Sequence, residues 1–175
     1  MKKNVGIIYL GKISNTFSVQ KALSMIGFQS DLIKDYRKIN SYSHIIIPGV
    51  GSFPEAMKEF KKRKYDLIFN SKNLKPRVLG ICLGMQIFAK TGYEFGKTKG
   101  INYLNGDVKK INFLEKLPHI GFSKINYKKK NIFKNIKKSS EFYFMHSYHF
   151  TKIKNAIITS YINYKKNKII SSIKY

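Results

Sequence analysis

Three short apolar runs, each closed by a glycine-containing stretch, constrain this chain more than any other feature. Val5-Gly-Ile-Ile-Tyr-Leu10, His44-Ile-Ile-Ile47 and Val78-Leu-Gly-Ile81 show no alternation of polar and apolar side chains. That pattern belongs to strands covered on both faces, as in a parallel sheet. Helical spacing follows each run. After the first, Asn15 can cap a helix that carries Phe17, Ala22, Leu23, Met25 and Ile26 and stops at Gly27, with Phe28 to Ile33 as a second strand. After Pro48-Gly-Val-Gly51, the segment Ser52-Phe-Pro-Glu55 has capping-box spacing and opens a helix to about Lys62. Another amphipathic stretch covers Tyr65 to Phe69, Pro76 interrupts it, and Val78 to Ile81 reads as a short buried strand running into Cys82. Leu83 to Phe88 then continues as a helix.

Alternation of strand and helix predicts right-handed crossovers and a mostly parallel central sheet flanked by helices on both sides. The C-terminal half changes character. Val108 to Ile111, Phe142 to Met145, Ala156 to Ile162 and Ile169 to Ile173 read as short strands between lysine-rich turns, so the α/β fold gains antiparallel strands late. With 175 residues, 43% of them apolar, and no repeat or low-complexity linker, one domain over residues 1–175 is expected. No apolar run reaches the roughly 18 residues of a membrane span, and no secretory leader is visible, so a non-membrane, cytoplasmic chain is expected.

The net charge of +25 invites a polyanion-binding reading. Of the 34 basic residues, however, only Arg37, Arg63 and Arg77 are arginines, and bidentate phosphate or base recognition favours the planar guanidinium. The runs at Lys61 to Lys64, Lys128 to Lys130 and Lys165 to Lys166 are read as solvated faces or loops, with no specific nucleic-acid partner. One cysteine excludes a disulfide framework and a multi-thiolate zinc site; no metal site is expected.

That cysteine sits in Gly80-Ile-Cys82-Leu-Gly84, between an apolar strand and a helical segment. A nucleophile elbow needs tiny residues flanking a strained central position, because neighbouring backbone crowds them. Such a turn would aim the sulfur at a helix N-terminus, favouring thiolate, and would bring the Leu83 N–H to an oxyanion. The alternative is a small buried hydrophobe. Pro48-Gly-Val-Gly51 lies at another strand end, the edge where open α/β sheets bind ligands.

Pro48-Gly-Val-Gly-Ser-Phe53, Gly80-Ile-Cys-Leu-Gly-Met-Gln86, Pro118-His-Ile-Gly121 and Phe144-Met-His-Ser-Tyr148 together resemble the class I glutamine amidotransferases. The likeness, from Val5 onward, is strongest to the glutaminase subunits of imidazole glycerol phosphate synthase. It implies a flavodoxin-like α/β domain without a cofactor, using Cys82 as nucleophile on L-glutamine. It further implies an oxyanion hole from Leu83, Val50 and Gly51, and substrate contacts from Gly49, Gln86, Glu94, Ser147 and Tyr148. Pro118, His119, Gly121 and Phe122 match the contact with a (β/α)8-barrel cyclase partner, which receives the ammonia.

The resemblance also implies a catalytic His and Glu in a Phe-His-Pro-Glu type motif about a hundred residues beyond the cysteine. No such motif occurs in these 175 residues, so a chain truncated at its C-terminus is expected. His44, His119, His146 and His149 are read as structural, with His146 and His149 the nearest to a substitute base. Tyr9 to Asn15 departs from the family's first loop, and Phe122-Ser123 stands where a Trp-Asn pair is usual. Two other functions stay open: ammonia supply to a sugar-nucleotide synthase for surface polysaccharide, and a scaffold that binds without turnover.

Overall fold

The computed structural model describes residues 4–71, 73–127 and 131–175. Four parallel strands, β1 (Val5–Ile8), β2 (Ser30–Ile33), β3 (His44–Gly49) and β4 (Arg77–Cys82), pair in the order β2-β1-β3-β4. Helix α1 (Thr16–Met25) connects β1 to β2, while α2 (Phe53–Lys62) and α3 (Tyr65–Phe69) connect β3 to β4. All four residues of β1 are buried, as its unbroken apolar run requires.

Beyond β4 the chain makes a single helical turn, α4 (Leu83–Gln86), shorter than the Leu83 to Phe88 helix expected from the sequence. Strands β5 (Ala89–Gly92), β6 (Thr98–Lys99), β7 (Leu104–Lys110) and β11 (Tyr148–Ile153) form a second sheet in the order β11-β7-β5-β6. A ribbon pairs β8 (His119–Lys124) with β10 (Glu141–His146), and β9 (Asn126–Tyr127), β12 (Ile157–Tyr164) and β13 (Asn167–Lys174) make a three-stranded sheet. The late strands therefore build sheets of their own and do not extend the parallel one. Among the described residues no helix is long and apolar enough to cross a membrane.

Two expected packings come out differently. Gly27 does end α1 in the left-handed region (φ +80°), yet no residue of α1 is buried, and Phe17 and Met25 are each 77% exposed. The expected Asn15 side-chain cap does not form: Asn15 precedes α1, but its Oδ1 accepts from the Ser18 hydroxyl (2.9 Å) and from no backbone N–H of the helix. Strand β4, expected to be buried, ends the sheet and leaves Leu79 50% and Ile81 40% exposed. An edge strand has a second strand on only one side, so apolar composition alone does not guarantee cover.

The main core gathers Ile8, Ile33, Ile45 and Ile47 of the sheet with Phe53, Met57 and Phe60 of α2 and Phe69 of α3; Phe150 of β11 joins it. A second core lies around Ile111, Ile125, Tyr127, Phe133, Ile162 and Ile169. With 34 basic residues and 9 acidic ones, carboxylates cannot pair every cation. Several cations settle on tyrosine faces instead: Arg63 lies 4.6 Å from the Tyr9 ring centre and Lys168 4.5 Å from that of Tyr161. Of the basic runs, Lys61, Lys62, Lys64, Lys165 and Lys166 are exposed, whereas Lys128 to Lys130 lie outside the described residues.

Tyr65 ties this arrangement together at the strand ends. Fully buried, it packs edge-on against Phe60 (5.5 Å), and its hydroxyl donates to the Ile33 carbonyl (2.5 Å) with the Tyr9 carbonyl at 3.2 Å. Burial pushes its phenol up to about 12. Tyr65→Phe keeps the ring and removes the hydroxyl from the Tyr9 carbonyl, while the Ile33 carbonyl keeps the Tyr9 N–H (3.2 Å), so a loss of about 1 kcal/mol is expected, read as a lower urea midpoint at unchanged slope.

Candidate active site

Cys82 is the last residue of β4 and adopts φ 55°, ψ −116°, a region that side-chain-bearing residues rarely occupy. The turn tolerates no bulk beside it. A Cβ on Gly80 would lie 2.5 Å from the Gly84 carbonyl oxygen, and one on Gly84 would run into the carbonyl oxygen of Ile47. The elbow expected from Gly-x-Cys-x-Gly thus forms for the expected steric reason.

The glycine loop sits beside the sulfur because β3 and β4 pair in register, with Gly49 opposite Cys82. Gly51 takes φ +109°, but the Val50 N–H donates to the Ile13 carbonyl (2.7 Å) and so points away from the elbow. The Ser52 hydroxyl donates to Glu55 Oε2 (2.8 Å), so the two side chains bond each other and the expected capping box, in which each would accept a backbone N–H, does not form. The half-buried Glu94 caps the helix from a distance instead, its Oε2 accepting from the Phe53 N–H (2.8 Å) at the start of α2, where the helix dipole favours a carboxylate.

Beside β4 lies a cleft of about 770 Å³ whose walls come from β4, α4, β10, β11 and β13. It brings Cys82, Gln86, His146, Tyr148 and His149 to one space. Gln86 is almost fully buried, and its Nε2 donates to the Tyr148 carbonyl (3.0 Å), clamping α4 to β11. Ser147 stands at the junction of β10 and β11, where its carbonyl accepts from the Ile111 N–H (2.9 Å). Gly49, Val50, Gly51, Glu94 and Ser147 do not line the cleft. Pro118, His119, Gly121 and Phe122 lie at and within β8, where Phe122 is 70% exposed.

A family model for class-I glutamine amidotransferases matches residues 11–174. The chain belongs to the class-I glutamine amidotransferases. It is 37% identical to the imidazole glycerol phosphate synthase subunit HisH of Lactococcus lactis, across 97% of this chain and 83% of that one. It is also 37% identical to the HisH of Pelagibacter ubique, across 92% and 81%. Among solved structures, a glutamine amidotransferase from Thermotoga maritima superposes with a TM-score of 0.65 at 18% identity, covering 97% of this chain and 70% of its own. A putative GMP synthase protein from Thermoplasma acidophilum gives 0.69 at 14%, covering 95% and 80%. At those identities the likeness is one of fold.

In this amidotransferase chain the thiol departs from the sequence expectation. Cys82 is an exposed free cysteine, but the surrounding protein desolvates it and pushes its pKa up; a hydrogen bond from the Leu83 N–H pulls it back only partly. A single helical turn offers too small a dipole to reverse that balance. No histidine hydrogen-bonds the sulfur among the described residues. His44 Nδ1 lies 3.0 Å from the Ser43 hydroxyl, His119 and His146 face each other, and His149 stands edge-on to Phe113 with its Nδ1 buried and unpartnered. Burial pushes His119, His146 and His149 down, which favours neutral rings.

Sequence reading missed the outer face of the β8–β10 ribbon. Ile120 and Phe122 pair across it with Met145 and Tyr143, and all four are more than half exposed. Period-two alternation in His119 to Lys124 was the available signal; in Glu141 to His146 aromatic side chains on both faces mask it. Because the Cys82 thiol is raised above its ordinary value of 9.0, its alkylation by iodoacetamide should climb steadily with pH and reach no plateau by pH 9. A plateau near neutrality in the rate-against-pH curve would contradict this account of the elbow.

Proposed function

We propose that the chain is the glutaminase subunit of an imidazole glycerol phosphate synthase, a cytoplasmic protein folded as one domain over residues 1–175. It hydrolyses L-glutamine to glutamate and ammonia and hands the ammonia to a (β/α)8-barrel cyclase subunit in histidine biosynthesis. The observation that carries this reading is the strained Cys82 elbow opening onto the cleft whose wall holds Gln86 against the Tyr148 carbonyl. Its relatives named HisH, at 37% identity over more than nine-tenths of the chain, support the pathway.

In this reading the Cys82 sulfur attacks the carboxamide carbon of glutamine, and the carbonyl electron pair moves onto oxygen. The backbone N–H of Leu83, the residue after the nucleophile at the start of α4, stabilises that oxyanion. Collapse breaks the carbon–nitrogen bond and expels ammonia, whose third hydrogen is the proton given up by the thiol, and leaves a glutamyl thioester; water then cleaves it to glutamate and returns a proton to the sulfur. The Val50 N–H contributes a second donor only after releasing the Ile13 carbonyl. Gln86 and Tyr148 line the seat of the amino-acid end; Ser147 and Glu94 stand outside the cleft and reach that end only after the segments carrying them move inward, Glu94 with the oxygen not committed to Phe53. Pro118, His119, Gly121 and the exposed Phe122 meet the barrel, with Ile120, Tyr143 and Met145 extending that apolar contact.

One observation favours a second reading, binding without turnover. The thiol is raised, and no histidine among the described residues is hydrogen-bonded to it, so proton removal from the attacking sulfur has no partner in contact. Glutamate release from L-glutamine by the chain with its barrel partner separates the two. Cys82→Ala should lower the rate at least about 10³-fold; identical traces from both proteins would remove the glutaminase reading and leave the scaffold.

A further inference from the structure

On the inner face of the β8–β10 ribbon, His119 and His146 form a direct cross-strand pair, back to back with the exposed apolar stripe. Their hydrogen bonds can be ordered by what each atom can do. His146 Nδ1 lies 3.0 Å from the Tyr148 carbonyl oxygen, which only accepts, so Nδ1 carries the proton. His146 Nε2 then has a lone pair, and it lies 3.2 Å from His119 Nδ1, which must donate. His119 Nε2 is left as an acceptor, with the Ser123 hydroxyl at 3.3 Å. Both rings are buried enough to favour the neutral form this order needs. The Tyr148 carbonyl at the end of the chain also accepts from Gln86.

We propose that His119 and His146 form a positioning relay. Running from Ser123 through both rings to the Tyr148 carbonyl, it fixes that carbonyl and, through it, Gln86 at the wall of the Cys82 cleft. The inference rests on the glutamine reading for the meaning of that wall. Each link has one allowed direction, so both rings are held in one tautomer and one orientation. A displacement of β8, the strand carrying the exposed Ile120 and Phe122, therefore reaches Gln86 through hydrogen bonds as well as through packing. His119 and His146 act here through Tyr148 and Gln86 and do not touch the reacting atoms.

Two variants of the full chain separate relay from packing. His119 also stacks on Phe144 (5.7 Å, 23°). His119→Phe keeps a ring for that stack and removes the donor, whereas His119→Asn loses the ring and keeps an N–H where Nδ1 stood. Calorimetry with L-glutamine should show affinity weakened about three- to tenfold in His119→Phe, as for one lost neutral hydrogen bond, and within about twofold of wild type in His119→Asn. Ring-nitrogen NMR should place the His146 proton on Nδ1 in the wild type and find an increased Nε2–H population in His119→Phe. The relay is overturned by wild-type affinity in His119→Phe, by equal impairment of both variants, or by an Nε2–H tautomer at His146 in the wild type. If the wild type binds no L-glutamine, the glutamine reading falls, and the His146 spectra alone decide the relay: an unchanged His146 signal in His119→Phe rejects it.

Discussion

Contact between the Gly84 backbone and the Ile47 carbonyl is the constraint on which the site depends. It holds α4 against β3, so the strand that delivers Cys82 must bend sharply at that residue and cannot relax into an ordinary strand-to-helix turn. Register does the rest. Because β3 and β4 pair residue for residue up to Gly49 and Cys82, the glycine loop and the sulfur arrive at the same sheet edge. Any side chain at Gly80 or Gly84 would separate these elements, and the strained φ of Cys82 persists only because the contacts around it leave no alternative.

Around this elbow the chain arranges two kinds of polar fixing. At α2, Glu94 reaches across from the loop after β5 to cap the helix that follows the glycine loop. At α4, Gln86 reaches to the Tyr148 carbonyl of β11, which also accepts from His146. Both couple the parallel sheet to the later strands through buried or half-buried side chains, where a hydrogen bond costs most to lose. The abundant lysines take little part. They lie mostly on exposed positions or over tyrosine rings, consistent with charge that sets solubility more than recognition.

Much of the parallel half was legible because its signals are local. Val5 to Ile8 and His44 to Ile47 are continuous apolar runs, Gly27 stops α1 with a positive φ, and Pro54 opens α2. Less legible were β5, β6, β8, β9 and β11 and the division of the late strands among three sheets. Ala89-Lys-Thr-Gly92 has little β-branched or aromatic content; it is a strand because its neighbours β6 and β7 supply hydrogen bonds from outside the segment. Phe17 and Met25 by helical spacing, and Leu79 and Ile81 by their unbroken apolar run, read as packed positions, yet they are exposed, since cover depends on which elements pack there.

Local composition by itself determined the elbow, for glycine at positions 80 and 84 is a steric requirement written in two residues. It likewise determined the alternation of buried strands and helices, while the resemblance to a family lay in the motifs Pro48 to Phe53, Gly80 to Gln86, Pro118 to Gly121 and Phe144 to Tyr148. What the tertiary structure alone decided is which distant groups share a space with the sulfur. Gln86 meets Tyr148 across 62 positions of sequence and His119 meets His146 across 27. The Cys82 pKa also moves with the protein packed around the thiol. Such pairings depend on strand register between segments far apart in the chain, and desolvation depends on everything packed nearby; neither quantity exists until the sheets have assembled.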